Sequence, residues 1–584
     1  MRKFLPFLGW LPHYKKSDFP KDVVAGLTVG VILIPQGMAY AMIAGLPPVY
    51  GLYTALVPVL VYAFLGTSRQ VGMGPVAMDS LLVAAGLGAL SITGVENYIA
   101  MALFLGLSVG VIQLLFGLFR MGFLVTFLSK PVISGFTSGA AIIIIFSQLG
   151  HLLGTHIEKS NHFHQLVINS LTMLGSINPY DLAIGLTGIL LIVVLKKWDD
   201  RIPSILLVVI LGSLGVYFLD LQGLGVKIVG TVPTGLPSFG VPEISAQNMA
   251  DIWPIALTLA LVGYLETISI GKAIEEKNGT DHINANQELV ALGTANIVGS
   301  FFQSYISTAS FSRSAINNEA GARTNLSGVI SVLLVVLTLL FLTPYFYYLP
   351  NAALASIIMV SVFGLIDIPY PKSLWKYRKD EFVVLIVTFL ATLFIGIKEG
   401  ILIGVLFSLL LMVYRTSNPH IAVLGNIKNS NYYKNVKRFG DNVVLRDDIL
   451  IVRFDSQIYF GNSDFFKKEL MKHVRSKGAD LKAVILNAEP INYIDSTGAV
   501  ALRRVIDEIH GFGVQFYLTG AIGPTRDIIY SSGLIDVLKK ENLFAEINEA
   551  VAYFENPDAI SEVQHHVAHQ NQVGVTKVTE QKKN

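Results

Sequence analysis

The chain has 584 residues, of which 52% are hydrophobic and only 14% are charged, and its mean hydropathy is +0.57. Soluble domains carry about a quarter charged residues, so this composition indicates an integral membrane protein. The formal net charge of +2 is too small to indicate a nucleic-acid partner. Because the chain contains no cysteine, disulfides, thiol catalysis and cysteine metal sites are excluded.

The composition changes sharply near Arg415. Before this residue, apolar segments of membrane length alternate with short loops. After it come charged residues, alternating strand and helix patterns, and a polar tail. The predicted divisions are a cytoplasmic N-terminus (1–20), a transmembrane domain (21–416), a linker (417–442), an α/β domain (443–556) and a disordered tail (557–584).

About fourteen apolar segments make up the membrane domain, and most approach the roughly 20 residues that span hydrocarbon as a helix. They centre near Val31, Leu56, Leu82, Leu107, Ser134, Leu190, Val209, Leu259, Leu292, Ser314, Val335, Ile358, Leu390 and Leu406. The third and tenth are short, begin with polar residues and occupy equivalent places in two sets of seven. Paired short segments interrupted by Gly or Pro are typical of an inverted-repeat transporter and its site. The predicted fold is therefore an α-helical membrane protein with fourteen transmembrane segments in a seven-plus-seven inverted repeat.

The charges of the loops agree with this count. With the N-terminus inside, the cytoplasmic loops hold Arg69, Arg120, Lys196, Lys197, Arg201, Lys272, Lys277, Arg323, Lys372, Lys376, Arg378, Lys379 and Arg415. The opposite loops offer little beyond Lys159, Lys227 and Lys398. This asymmetry follows the positive-inside rule, so we expect a multi-pass protein of the cell (inner) membrane with both termini in the cytoplasm.

Two polar interruptions in the hydrophobic sequence predict the functional site. The later one, 303–314, holds seven hydroxyl side chains and the single arginine Arg313. A cation buried at membrane depth is costly, so it usually faces a cavity or a pathway. In the earlier one, 72–80, glycines break regular structure and Pro75 can open a new helix. Two short helices with N-termini inside the bilayer direct partial positive charge at one point, which favours an anion.

Several motifs follow one another in a fixed order along the chain. They are Pro35-Gln36-Gly37-Met38-Ala39-Tyr40-Ala41, Leu46-Pro47-Pro48-Val49-Tyr50-Gly51-Leu52-Tyr53, Gly66-Thr67-Ser68-Arg69, Gly74-Pro75-Val76-Ala77 and Ser310-Phe311-Ser312-Arg313-Ser314. Through them the chain resembles the sulfate permease (SulP) family, which includes bacterial and plant anion transporters, animal anion exchangers and the motor protein prestin. The resemblance covers nearly the whole chain except the tail. It implies a mobile core domain, a gate domain, a cytoplasmic STAS domain and a homodimer.

The predicted substrate-binding residues come from the first helix and the two interruptions. They are Gln36, Tyr40, Val76, Ala77, Ser310, Phe311, Ser312 and Arg313. Arg313 would supply a fixed positive charge; its alternative roles are a cytoplasmic anchor or a member of an ion pair between helices. Ser310 and Ser312 would donate hydrogen bonds to oxyanion oxygens, as would backbone N–H groups near Ser310 and Val76, although serines also pack tightly between membrane helices.

Gln36 and Tyr40 lie four residues apart and therefore on one face of the first helix. The family resemblance implies that both positions line the anion pocket. The alternative is a kinked helix whose amide is satisfied within the protein.

Three residues are candidates for cation coupling. Glu266 is an isolated carboxylate on the apolar eighth segment, where it would exchange a proton during turnover or bind Na⁺ with oxygens of Thr267 or Ser269. The resemblance implies a coupling role for this helix; the alternatives are pairing with Arg313 or a structural hydrogen bond. Asp79 departs from the apolar residue that we expect in the family, and an ionised Asp79 would repel the substrate unless it is protonated, paired or holding a cation. We therefore expect coupling to H⁺ or Na⁺ and no other cofactor.

The soluble domain is predicted from strands at 449–454, 483–486 and 514–518, followed by helices beginning near Ser463, Thr497 and Pro524. Asn492-Tyr493-Ile494-Asp495-Ser496-Thr497-Gly498 resembles the STAS signature of anti-sigma-factor antagonists, whose matching serine is phosphorylated. Ser496 is thus a candidate regulatory site that a partner protein would recognise, because phosphate at a helix N-terminus is electrostatically favoured. Its alternative role is the N-cap of the following helix.

Histidines 151, 156, 162 and 164 cluster in a predicted external loop without a spacing that compels metal binding, so no metal site is predicted. No nucleophile–base set or cofactor motif indicates an enzyme. The leading hypothesis is an elevator-type secondary active anion transporter, with sulfate as the family default and bicarbonate or a dicarboxylate as alternatives. A membrane anion sensor that signals through the STAS domain is the alternative from another class. Nucleobase–proton symport is disfavoured because a neutral base needs no fixed cation such as Arg313.

Overall fold

The computed structural model describes residues 5–557 except 89, 91, 124–128, 156–162, 173, 200–201, 243–245, 280–282 and 429. The chain divides into two compact units, Met1–Ser408 and Leu409–Asn584. The predicted disordered tail lies, from residue 558 onward, outside the described residues.

The first unit is built almost entirely from helices. Its first half contains α1 (Phe7–Trp10), α2 (Phe19–Ile43), α3 (Pro48–Thr54), α4 (Val57–Leu65), α5 (Ala77–Gly88), α6 (Val95–Leu118), α7 (Lys130–Ser147), α8 (Leu149–Leu152), α9 (Phe163–Thr172), α10 (Pro179–Trp198) and α11 (Ser204–Phe218). Its second half contains α12 (Ala246–Asn278), α13 (Ala285–Ser300), α14 (Phe311–Glu319), α15 (Leu326–Leu337), α16 (Asn351–Phe363), α17 (Pro369–Tyr377), α18 (Lys379–Phe394) and α19 (Ile397–Ser417). Two short strands, β1 (Met73–Gly74) and β2 (Thr308–Ala309), each precede a short helix.

Eight helical stretches in the described part of the chain are long and apolar enough to cross a membrane. Three shorter apolar helices, α5, α11 and α16, accompany them. Every predicted segment centre lies on a helix or, for Leu56, at the junction of α3 and α4. The predicted multi-helix membrane fold is therefore confirmed, whereas the count of fourteen spans stays a prediction.

Helix packing separates two groups within the first unit. In the group that we name the core group (α2–α6 and α12–α15), α6 packs on α13 and α2 packs on α15. In the gate group (α7–α11 and α16–α19), α7 packs on α18 and α10 on α16. Glycines permit this close approach, because a Cβ on Gly110 would lie 2.8 Å from the Gly293 carbonyl oxygen and one on Gly135 would lie 2.4 Å from that of Leu385.

The second unit is an α/β fold around one mixed sheet. Its strands are β3 (Ile421–Ile427), β4 (Tyr433–Asn435), β5 (Val443–Val444), β6 (Ile449–Phe454), β7 (Ala483–Asn487), β8 (Gln515–Thr519) and β9 (Leu543–Phe544), in the order β4-β3-β6-β7-β8-β9 with β5 paired to β3. Its helices are α20 (Val436–Phe439), α21 (Ser463–Lys477), α22 (Ser496–Gly511), α23 (Gly523–Ser531), α24 (Ile535–Leu538) and α25 (Ile547–Glu555). Strands β6 to β9 are parallel, and β7 is buried along its whole length, as expected for a strand covered on both faces. The three predicted strands are confirmed as β6, β7 and β8.

The predicted linker 417–442 is wrong in part, because it contains β3 and β4. β3 pairs antiparallel with β6, with Val423 opposite Val452, and its residues Ala422 and Leu424 are buried. The apolar run in β3 is short and is followed by polar residues, so composition alone resembles a connection. The folded part of the second unit thus begins before Val443.

Candidate functional site

The two polar interruptions meet in an antiparallel strand pair. Met73 lies opposite Ala309, and Gly74 lies opposite Thr308. The Ser310 N–H donates to the Gly72 carbonyl oxygen at 3.0 Å. Since α5 begins shortly after β1 and α14 shortly after β2, both helix N-termini start from this pair. The predicted meeting of two short helices is therefore present, although α5 begins at Ala77 and not at the proline before it.

Arg313 lies in the first turn of α14 and is fully buried. Its Nη2 donates to the Pro75 carbonyl oxygen at 2.9 Å, and its Nη1 donates to Gln36 Oε1 at 3.4 Å. Gly74 has a φ of +141°, and a Cβ there would lie 3.3 Å from Arg313 Nη2 and 3.0 Å from Leu33 Cδ1. A glycine at this position therefore leaves room for the guanidinium between the first helix and the earlier interruption.

The charge of Arg313 is not balanced by an ion pair within the described residues. Its guanidinium donates two hydrogen bonds to neutral oxygens, and its buried Nε has no hydrogen-bond partner there. A buried cation normally needs a counter-charge and full hydrogen bonding. The alternative role in an ion pair between helices is thus absent from the described structure, and an anion would supply the missing charge.

The other predicted substrate-binding residues differ in burial, and of these only Gln36 and Ser310 have hydrogen bonds to Arg313 among the described residues. Gln36, Tyr40, Ala77 and Ser310 are buried, Val76 is half-buried, and Phe311 and Ser312 are exposed. The Ser310 oxygen accepts from the Arg313 N–H at 3.5 Å and caps α14, which leaves the hydroxyl hydrogen free to donate.

The carboxylates of Asp79 and Glu266 lie behind the strand pair. Thr308 Oγ1 donates to Asp79 Oδ2, whereas Asp79 Oδ1 and Glu266 Oε2 are buried without a hydrogen-bond partner among the described residues. Asp79 lies on α5 and Glu266 lies on α12, and these two helices pack against each other. The predicted third member, Ser269, is half-buried, whereas Thr267 Oγ1 donates to the Gly263 carbonyl oxygen at 2.8 Å.

Thr308 is a residue that the sequence analysis missed, although it connects three elements. It lies on β2, bonds Asp79 on α5 and packs on α12. A Cβ on Gly263 would lie 2.5 Å from Thr308 Cγ2, so this glycine lets β2 approach α12. The sequence feature that could have indicated this contact is Gly263, a small residue one turn before Glu266.

Three buried hydrogen bonds form what we name the amide chain, which was also missed. Gln113 Nε2 donates to the Ala260 carbonyl oxygen at 3.2 Å, and Gln113 Oε1 accepts from Asn296 Nδ2 at 3.1 Å. Asn296 Oδ1 accepts from the Ser307 N–H at 2.8 Å. Because both ends are backbone groups with fixed roles, each amide has one consistent orientation. The amide chain therefore links α12, which carries Glu266, to the residues that precede β2.

The regulatory candidate Ser496 is exposed at the first position of α22. The N-cap is Asp495, not Ser496: Asp495 Oδ1 accepts from the Gly498 N–H at 2.7 Å, and its Oδ2 accepts from the Phe460 N–H at 2.9 Å. The alternative role of Ser496 as the N-cap is therefore wrong. Its hydroxyl is left accessible at a helix N-terminus.

Of the four clustered histidines, the structure describes His151 and His164, whereas His156 and His162 lie outside the described residues. Among the residues that the structure does describe, no group of three or more His, Asp or Glu side chains is arranged to hold a metal ion.

Comparison with known proteins identifies the family. The model of the sulfate permease family matches residues 19–388, and the model of the STAS domain matches residues 442–550. The chain belongs to the sulfate permease family. The members of this family found here are transporters and not enzymes, and the second unit of the chain is a STAS domain, to which the structure adds β3 and β4.

Relatives within this family align along most of the chain. "Sulfate transporter 4.1, chloroplastic" of Arabidopsis thaliana is 37% identical, over 94% of this chain and 82% of that protein. "High affinity sulfate transporter 2" of Stylosanthes hamata is 33% identical, over 95% of this chain and 87% of that protein.

Solved structures share the fold. The murine Slc26a9 anion transporter superimposes with a TM-score of 0.86 at 27% identity, over 94% of both chains. The transmembrane domain of the cyanobacterial bicarbonate transporter BicA superimposes with a TM-score of 0.58, over 68% of this chain and 98% of that one. Since its identity is 23%, the second likeness concerns the fold alone.

Proposed function

We propose that this protein is a secondary active transporter of a small oxyanion, with sulfate as the leading substrate. The observation that carries the proposal is the buried guanidinium of Arg313, which lacks an ion-pair partner among the described residues and lies where two helix N-termini start. The named relatives are sulfate transporters, and the structural neighbour Slc26a9 is an anion transporter.

The anion would bind mainly to main-chain groups. The first turns of α5 and α14 present N–H groups that have no preceding helical carbonyl oxygen as a partner. Aligned helix dipoles add partial positive charge at the same point. Arg313 is held by Gln36 and Pro75, so it would act as a fixed charge beside the anion rather than as a mobile ligand. Ser310 and Ser312 would donate hydroxyl hydrogen bonds.

Cation coupling would follow from the charges around the site. A divalent anion near ionised Asp79 and Glu266 is repelled, and uptake of H⁺ or Na⁺ by these carboxylates removes the repulsion. Each solute would then raise the affinity for the other, because linkage between two binding events is reciprocal. The unpartnered oxygens Asp79 Oδ1 and Glu266 Oε2 are the atoms that would receive the cation.

The transport cycle would be a movement of the core group against the gate group. The strand pair and both carboxylates belong to the core group, so the anion and the cation would travel together. We also propose a homodimer in the cell (inner) membrane, with both termini cytoplasmic and with a regulatory partner that reads phosphorylation at Ser496.

A flux panel in proteoliposomes tests this function. Sulfate, bicarbonate, chloride and a dicarboxylate are each supplied with and without a Na⁺ or pH gradient. We expect saturable sulfate accumulation that one of the two gradients drives. Accumulation of only bicarbonate or a dicarboxylate would mean that this anion, and not sulfate, is the substrate. Binding without flux would favour a sensor.

Asp79→Asn tests the coupling part separately. The neutral amide cannot take up a proton or balance the charge of Na⁺, so the dependence of sulfate uptake on pH or Na⁺ should largely disappear. The measurement is initial uptake against both variables. Dependence on pH and Na⁺ that matches the unmodified protein would remove Asp79 from coupling.

A further inference from the structure

The short helix α17 carries an exposed basic and aromatic stripe that the transport site does not use. Lys372 and Lys376 lie one turn apart, with Trp375 beside them on the same face. Trp375 is 60% exposed. Lys379, just beyond the helix, brings its ammonium within 5.7 Å of the centre of the Trp375 ring. We name these four residues the α17 stripe.

The opposite face of α17 fastens it to the gate group. Leu374 is buried, and the Tyr370 ring lies 4.6 Å from Lys130 Nζ at the start of α7. The Trp375 ring also meets Phe382 of α18 edge-on at 5.0 Å. The orientation of the α17 stripe is therefore set by packing, and its lysines point away from the helices beneath.

The positive charge of the α17 stripe is not cancelled by its acidic neighbours. Arg378 already holds the two nearest carboxylates, with Asp380 at 3.8 Å and Glu381 at 3.0 Å. Within the described residues, neither Lys372 nor Lys376 has an ion-pair partner. The stripe thus presents ammonium groups and an indole ring without a protein counter-charge.

This combination matches the surface of a membrane leaflet that contains anionic lipids. Tryptophan favours the level of the headgroups, and lysines beside a membrane helix are attracted to anionic lipid. The loop that contains α17 connects α16 to α18 and lies on the side that the charge asymmetry predicts to be cytoplasmic. We propose that the α17 stripe binds the phosphate groups of anionic phospholipids in that leaflet and so ties the gate group to the membrane surface.

Fluorescence of Trp375 tests the proposal directly, because the chain has only four tryptophans. In the full-length variant W10F/W198F/W253F, Trp375 alone emits. The protein is placed in nanodiscs that contain the same fraction of either brominated phosphatidylglycerol or brominated phosphatidylcholine. Bromine quenches an indole only at close range, so the difference between the two lipids reports local enrichment of the anionic one.

We expect stronger quenching by phosphatidylglycerol, since each lysine near the surface enriches anionic lipid about fivefold. The substitutions K372Q, K376Q and K379Q should together remove the difference while quenching by phosphatidylcholine persists. The matched control K16Q, K196Q and K197Q removes three exposed lysines elsewhere on the same predicted side and should retain it.

Two results would overturn the proposal. Equal quenching by the two lipids would mean that α17 lies at the headgroups without selecting charge. No quenching by either would mean that protein, and not lipid, covers the stripe. Because transport is not measured, neither result depends on the proposed anion site.

Discussion

The proposed anion site of the first unit and the surface of the STAS domain differ in how their charged side chains are paired. In the core group, Arg313 Nε, Asp79 Oδ1 and Glu266 Oε2 are buried without hydrogen-bond partners among the described residues. In the STAS domain, Arg446 binds Asp448 at 2.8 Å, and Glu508 is bound at 3.1 Å by both Lys467 and Arg475. Unsatisfied buried charge destabilises a fold, so an arginine and two carboxylates that lack partners around one strand pair indicate a ligand site.

The largest expected effect comes from Arg313→Gln. Loss of a buried charged partner costs about 2 kcal/mol or more of binding, so sulfate uptake should fall at least about 30-fold. Stability should not fall, because the variant removes a buried charge that has no protein counter-ion. Uptake in proteoliposomes and thermal unfolding in detergent measure the two effects. Unchanged uptake, or a loss of uptake that accompanies a loss of folded protein, would contradict this prediction.

A matched pair of glutamates sharpens the comparison. Glu288 is buried like Glu266, but it accepts from Tyr62 Oη at 2.8 Å and from the Thr67 N–H at 2.7 Å. Glu288→Gln should therefore lower the free energy of unfolding by about 2 kcal/mol. Glu266→Gln should leave stability nearly unchanged and weaken the dependence of uptake on pH or Na⁺. The opposite pattern would reverse the roles that we assign to the two carboxylates.

The amide chain should influence substrate affinity from a distance. Asn296→Ala leaves Gln113 Oε1 and the Ser307 N–H unpaired, so β2 should lose its fixed position. The unpaired Ser307 N–H, which is the group next to β2, costs about 1.4 kcal/mol, so we expect the KM for sulfate to rise about tenfold. Ser300→Ala on the same helix is the control, because the Ser300 hydroxyl bonds only to its own helix at Ile297. An equal rise in KM for both variants would indicate a general weakening of α13.

The smallest expected effect is a change in the free energy of unfolding of the STAS domain. Hydrogen bonds from Arg446 hold the pKa of the Asp448 carboxyl below its usual value. A carboxyl whose pKa is lowered by folding stabilises the fold when the pH is above its pKa in the unfolded state. This contribution is lost as the pH falls through its pKa in the folded state. Asp448→Asn should thus cost less than about 1 kcal/mol near neutral pH, because the pair is partly exposed. Urea unfolding of the isolated domain should show this cost diminish at acidic pH; a cost that grows there would contradict the assignment.

The features that the sequence predicted are those that depend on residues adjacent in the chain. Apolar length marked the helices, continuous apolar runs marked β6 to β8, and two polar interruptions marked the strand pair. The partners of Asp79 could not be predicted in this way, because Thr308 lies 229 positions away. The same limit applies to the amide chain, whose members Gln113 and Asn296 are 183 positions apart. Such pairs depend on how helices pack, which periodicity does not specify.

The predictions for the N-cap of α22 and for strand β3 were wrong for local reasons. Asp495 and Ser496 are both good N-cap residues, and only the backbone decides which one takes that position. β3 has a short apolar run, 421–424, followed by a glycine and an asparagine, and only its pairing with β4 and β6 identifies it as a strand within the sheet.

The link between β1 and β2 consists of main-chain hydrogen bonds, and this has an evolutionary consequence. Apart from the glycine at position 74 and the Ser314 hydroxyl, which accepts from the Gly72 N–H, these bonds do not depend on the identity of the flanking side chains. Descendants could therefore exchange other side chains around the site, and with them the solute that is accepted, while α5 and α14 remain joined at their N-termini. New specificities would then arise without a change in the way the two helices and their strands are joined.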